Sequence, residues 1–142
     1  MTTREITLEN LNETIADNDV VLLDFWAAWC GPCRAFGPVF EQASETNPDI
    51  VFGKIDTEAQ QELAAGFQIT SIPTLMAFRE GILIFSQPGA LNATQLTAVV
   101  DAVKGLDMDE VRSPIAQQQA ELDQQEQAAE RVAENASEEL TK

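Results

Sequence analysis

Residues 19–33, DVVLLDFWAAWCGPC, set a nearly continuous run of β-branched, aliphatic and aromatic side chains directly before two cysteines, Cys30 and Cys33. No other stretch constrains the fold as much. A strand that is apolar at successive positions has no face to give to water, so it is buried on both sides. It therefore needs neighbouring strands and a cover on each face. The Gly31-Pro32 step that follows suits the first turn of a helix.

The rest of the chain supplies those parts. A second run of the same kind, DIVFGKID, starts at Asp49. TLMAFRE from Thr74 and ILIFSQ from Ile82 are separated by Glu80-Gly81, a hairpin turn signal. REIT at Arg4 reads as a weaker first strand. Between these lie helical patterns. Thr7 is placed to cap LENLNETIA. From Gly31 to Ser44, Phe36, Val39, Phe40 and Ala43 fall at helical spacing, with a kink expected at Pro38. Thr57 and Gln60 fit a capping box opening EAQQELAA, with Gly66 as its stop. Asn92 and Gln95 fit another for ATQLTAVVDAVK, which ends at Gly105. The order β-α-β-α-β-α-β-β-α predicts an α/β fold: a mixed central sheet, parallel first and antiparallel late, with helices on both faces.

A compositional break follows. Of 24 acidic and 8 basic residues, 10 and 3 respectively lie after Leu106, in a segment rich in Gln, Glu and Ala. Two domains are expected: 1–106, holding the sheet, and 107–142, an acidic helical or disordered extension. Val111, Ile115, Leu122, Ala129, Val132, Ala133, Ala136 and Leu140 recur there at helical spacing. The stripe is alanine-rich, so a solvated helix is favoured over a self-associating one. The net charge of −16 argues against nucleic acid and against an anionic membrane surface, since phosphate contacts need clustered Lys and Arg. No apolar run is long enough to span a bilayer. The start of the chain lacks the apolar core of an export signal. The expected location is the cytoplasm.

Two cysteines do not staple a 142-residue chain. At i and i+3 on a helix, Cα atoms lie roughly 5–6 Å apart, within the span of about 4.4–6.8 Å that a disulfide accepts. The bridge closes too short a loop to stabilise the fold much. A bond that forms readily yet stabilises little suits redox cycling. At the helix N-terminus the free N–H groups favour an anion, so Cys30 is expected to be the low-pKa attacking thiolate and Cys33 the shielded second thiol. Pro32 stiffens the pair. Two other readings stay open on spacing alone: a zinc site shared between two chains, which the absence of histidine disfavours, and a pair of inert buried thiols.

The segment DFWAAWCGPCRAFGPVF resembles the active-site region of the thioredoxin family, whose signature is Trp-Cys-Gly-Pro-Cys. FGKIDTE, ITSIPTLMAFREG and PGAL recur in that family's order and spacing, so the similarity covers about residues 4 to 105. The resemblance implies the thioredoxin fold. It implies that Cys30 attacks and Cys33 resolves, with Gly31 and Pro32 setting the geometry of the pair. Asp24 matches a buried carboxylate beneath the cysteines, whose pKa burial should raise, and Lys54 the lysine that accompanies it. Pro73 matches a cis-proline facing the dithiol. Ile72, Trp29, Gly89 and Ala90 match the surface that receives an extended client segment, and Trp26 is the inner partner of Trp29. Phe67-Gln68 and Ser71 depart from the Tyr-Gly and Gly common at those positions, and Arg34 stands where Lys is frequent.

The expected activity is protein-disulfide reduction by a monomer that binds no metal and no cofactor. The redox group is the Cys30–Cys33 pair itself. By the same resemblance, its reductant is an NADPH-linked flavin thioredoxin reductase and its substrates are disulfide-containing client proteins. The chain has no Gly-x-Gly-x-x-Gly loop of its own. Two rivals stand beside this. One is the same chemistry run as an oxidase or isomerase. The other is a binding module or holdase whose tail recruits partners.

Overall fold

The run around Leu22 does become the middle of a sheet. In this computed structural model, residues 2–113, Leu122 and Gln125 are described. The elements are β1 (Thr3–Glu5), α1 (Leu11–Asp17), β2 (Val20–Trp26), α2 (Gly31–Thr46), β3 (Val51–Asp56), α3 (Gln61–Gly66), β4 (Thr74–Arg79), β5 (Ile82–Pro88) and α4 (Ala93–Lys104). The sheet order is β1-β3-β2-β4-β5. β3 runs parallel to both β1 and β2, whereas β4 is antiparallel to β2 and to β5. This is the thioredoxin fold expected from the sequence.

The alternation of side chains along β2 divides the core in two. Val20 and Leu22 pack with Phe36 and Phe40 of α2 and with Leu96 and Val100 of α4. Val21, Leu23 and Phe25 point the other way, onto Leu11 of α1 and Leu63 of α3. All six positions from Val20 to Phe25 are buried, which is why the run carries no polar alternation. Asp24 falls on the α2 face, where its neighbours along the strand are hydrophobic.

Two helix starts differ from the expected ones. α1 begins at Leu11, not after Thr7, because Asn10 Oδ1 accepts from Thr7 N at 2.8 Å and folds Thr7–Asn10 into a turn of its own. Thr57 caps nothing: its hydroxyl donates to Trp26 O at 3.0 Å, while Asp56 Oδ1 takes Glu58 N at 2.9 Å. α3 therefore starts only at Gln61, with no side-chain cap. It stops after Gly66 as expected, but the left-handed residue is Gln68 (φ 57°). α2 runs unbroken through Pro38. The Asn92–Gln95 box forms in both directions, 2.8 and 2.9 Å. Glu80 (φ 51°) and Gly81 (φ 79°) make the β4–β5 turn, the two positive φ values of a type I′ hairpin.

The end of α4 is fastened. Arg79 Nη1 donates to the carbonyls of Val103 and Lys104, both at 2.9 Å, and Lys104 Nζ lies 3.0 Å from Asp49 Oδ2. Arg79 pairs with Val20 at the start of β2, at the opposite end of that strand from the cysteines. The chain divides after Gly105 into two units, Met1–Gly105 and Leu106–Lys142. In the second, residues 108–113 are helical, as are Leu122, which is exposed, and Gln125. The expected stripe from Ile115 through Ala129, Val132, Ala133 and Ala136 to Leu140 lies otherwise outside the described residues.

Candidate active site

Strand β2 leaves the sheet at Trp26 and delivers Cys30 to the N-cap of α2 in extended geometry (φ −85°, ψ 116°). Cys30 and Cys33 are joined as a disulfide with Cα atoms 5.2 Å apart. Cys30 Sγ accepts from Cys33 N at 3.2 Å. The sulfur thus does what a Ser or Asp side chain does at other helix starts: it satisfies an otherwise unpartnered N–H of the first turn. Pro32 sits in that turn, where its missing donor costs nothing.

Both cysteines are 4% exposed. Accessibility does not separate them, contrary to the simple picture of an open first thiol and a shielded second. What differs is position. Cys30 caps the helix and lies 3.7 Å from the Ile72 carbonyl oxygen. Cys33 lines a cleft of about 370 Å³ with Trp26, Arg34, Gly37, Glu41 and Lys54.

The Ile72–Pro73 peptide bond is cis. Pro73 is buried and its carbonyl accepts from Gly89 N at 2.8 Å, so the Gly89-Ala90 loop is hooked to the strand carrying the proline. Ala90 itself is exposed. Trp29 stands 66% exposed beside the cysteines. It shares a shallow cleft of about 200 Å³ with Thr57, Ile69, Thr70, Ser71 and Ile72. None of these carries a charge, and Ser71, one of the departures from the family pattern, is on the rim.

Asp24 is fully buried, and neither carboxylate oxygen has a hydrogen-bond partner among the described residues. Burial pushes its pKa up from 3.8 to about 7, against the opposing pull of Lys54. Lys54 is its direct neighbour across the β2–β3 ladder. Its Nζ sits 5.1 Å from the centroid of the Trp26 ring. Trp26 is therefore more than the inner core aromatic expected from sequence: it is half-buried, packs on the cysteine cluster and carries a cation on its face. Gly37 is a site residue that sequence reasoning misses. A Cβ there would stand 3.9 Å from Lys54 Nζ. A glycine in mid-helix, where it weakens the helix, is the signal that points to it. Among the described residues no group of three or more His, Cys, Asp or Glu side chains is placed to hold a metal.

A disulfide capping the helix after a central strand, with a buried carboxylate on that strand and a cis-proline beside it, defines a thiol–disulfide oxidoreductase acting on proteins. The thioredoxin family model matches residues 2–102; the chain belongs to the thioredoxin family. It is 60% identical over 119 residues to putative thioredoxin 2 of Streptomyces coelicolor, covering 84% of this chain and 89% of that one. It is 41% identical over 98 residues to thioredoxin C-3 of Corynebacterium nephridii, 68% of each. Among solved structures, a single-site mutant of a Halobacterium salinarum thioredoxin superposes with a TM-score of 0.69 at 32% identity, covering 74% of this chain and 93% of that one.

Proposed function

We propose that the chain is a cytoplasmic protein-disulfide reductase whose electrons come from an NADPH-linked flavoprotein, a thioredoxin reductase. The observation that carries this reading is the Cys30–Cys33 bridge at the cap of α2, with Cys33 N directed at Cys30 Sγ. In the reduced form the same N–H faces a thiolate, which the helix terminus favours. The Cys30 thiolate attacks one sulfur of a client disulfide, and the other client sulfur leaves as a thiolate. Asp24, held near neutrality by burial, takes the proton from Cys33. The Cys33 thiolate then attacks Cys30 Sγ, closing the bridge and releasing the second client thiolate. The client disulfide gains two electrons and the Cys30–Cys33 pair loses them.

The client lies as an extended segment over Trp29, Ile72, Pro73, Gly89 and Ala90. The uncharged cleft beside Trp29 supports this placement. Lys54, Gly31 and Pro32 tune the pair without touching the client. Among the described residues no helix is long and apolar enough to cross a membrane.

Insulin reduction with NADPH and a bacterial thioredoxin reductase tests the assignment. Unsubstituted protein is expected to turn over and Cys30→Ser to be inactive. Activity retained by Cys30→Ser would overturn it.

A further inference from the structure

We propose that Trp26 is a positioning residue for Lys54: its indole face seats the ammonium beside β2 and so sets how tightly Asp24 holds its proton. The relevance to turnover rests on Asp24 being the internal base, whereas the test below does not use turnover.

Three observations converge. Asp24 and Lys54 are direct partners across the ladder, and Trp26 is two residues beyond Asp24 on the same face of β2. Lys54 Nζ lies 5.1 Å from the Trp26 centroid, within the reach of a cation–π contact. Lys54 and Trp26 together line two clefts. One, on the β1 side, is of about 290 Å³; the other, on the α2 side, is of about 370 Å³. Without the ring, then, this long flexible side chain has open space on both sides into which to move away from Asp24.

Other charges lie around the seat. Arg4 and Glu5 face it from β1, and Asp56 from β3. From α2 come Arg34 and Glu41. Glu41 is occupied by Thr2 N at 3.3 Å and Thr3 Oγ1 at 2.8 Å. β4 presents Leu75 opposite Asp24 and no charge. Lys54 is the residue paired with Asp24 across the ladder, and its ammonium lies over the Trp26 ring.

Two mechanisms predict opposite signs. If Trp26 acts through Lys54, Trp26→Leu releases the ammonium and the Asp24 titration moves up. If the ring merely excludes water, its loss hydrates Asp24 and the titration moves down. Following the Asp24 carboxyl carbon by NMR against pH in labelled full-length protein separates them. Trp26→Leu is expected to raise the midpoint by roughly half a pH unit, the scale of a partly exposed cation–π contact. Trp26→Phe, which keeps an aromatic face, is expected to restore most of it. In a Lys54→Met background the further change Trp26→Leu is expected to produce no upward shift. An unchanged or lowered midpoint, or an upward shift that persists without Lys54, would overturn the proposal. Should Trp26→Leu not fold, the unsubstituted protein decides. Lys54 ε-proton resonances displaced upfield by the indole ring current support the seat, and unshifted resonances refute it. Neither readout depends on which way the disulfide chemistry runs, so a failed insulin assay leaves this test intact.

Discussion

At the scale of single residues, Asp24 carries the largest electrostatic load. Its folded pKa is near 7, against 3.8 for an ordinary solvated Asp. The folded chain therefore binds a proton there that the unfolded chain has already lost across that window. Stability is fullest below about pH 4 as far as this group is concerned, falls as pH rises through the window, and levels off above pH 7. The difference amounts to about 4 kcal/mol at most. Asp24→Asn is expected to flatten the dependence of melting temperature on pH between 4 and 7, and to melt higher than the unsubstituted protein at pH 8. A melting curve that keeps its slope in that variant would locate the proton elsewhere. Gln68 is a second loaded position. It holds φ 57° with its N–H bonded to Ala65 O at 3.0 Å, a left-handed conformation that disfavours any side chain. Gln68→Gly is expected to gain roughly 0.5–1 kcal/mol in urea denaturation. Cys30 and Cys33 were legible as a candidate redox pair from their spacing and their place after a strand, whereas Asp24 was singled out only through the family resemblance, because a strand-end Asp reads equally well as facing water. The partnership of Trp26 with Lys54 was not, because 28 positions separate them in the chain and only the register of β2 on β3 brings them together.

At the scale of elements, sequence patterns succeeded where local chemistry had no competitor. The Asn92–Gln95 box closes through reciprocal bonds between the two residues themselves. Asn92→Ala is accordingly expected to cost about 1 kcal/mol, read from chemical denaturation. Thr57 and Gln60 have the same spacing and fail. Thr57 is drawn off by the Trp26 carbonyl across the sheet, and Asp56, one residue earlier, takes the free N–H groups. Thr7 fails for a different reason: its own N–H goes to Asn10 Oδ1, which closes Thr7–Asn10 as a turn ahead of α1. Strand β2, helix α2 and the β4–β5 hairpin were readable because each is fixed by its own residues. Cap positions depend on which of several acceptors wins, and tertiary neighbours decide that.

At the scale of the whole molecule, strands β1–β5 and helices α1–α4 fall within Met1–Gly105. The last of these helices is tied down by Arg79 and Lys104 before the chain goes on. Truncation after Leu106 is expected to leave insulin reduction and melting temperature nearly unchanged. A fall in melting temperature would assign the extension a structural role, and lost activity at unchanged stability would assign it to recruitment of partners. The long-range ties of this unit were invisible in the sequence. Glu41 holding Thr2 and Thr3 is an interaction between ordinary surface residues, with no pattern to announce it.

The disulfide sulfur that caps α2 also links two quantities seldom measured together. Oxidised and reduced chains, each folded or unfolded, form a closed thermodynamic cycle. The extra unfolding free energy of one redox form over the other must therefore equal the displacement of the dithiol's potential from its value in the open chain, about 30 mV for every ~1.4 kcal/mol. A thiolate that caps the helix well would stabilise the reduced fold and draw the potential upward by that amount. Calorimetry on the two forms, with no client and no reductase present, then reads the electron-donating strength of the protein.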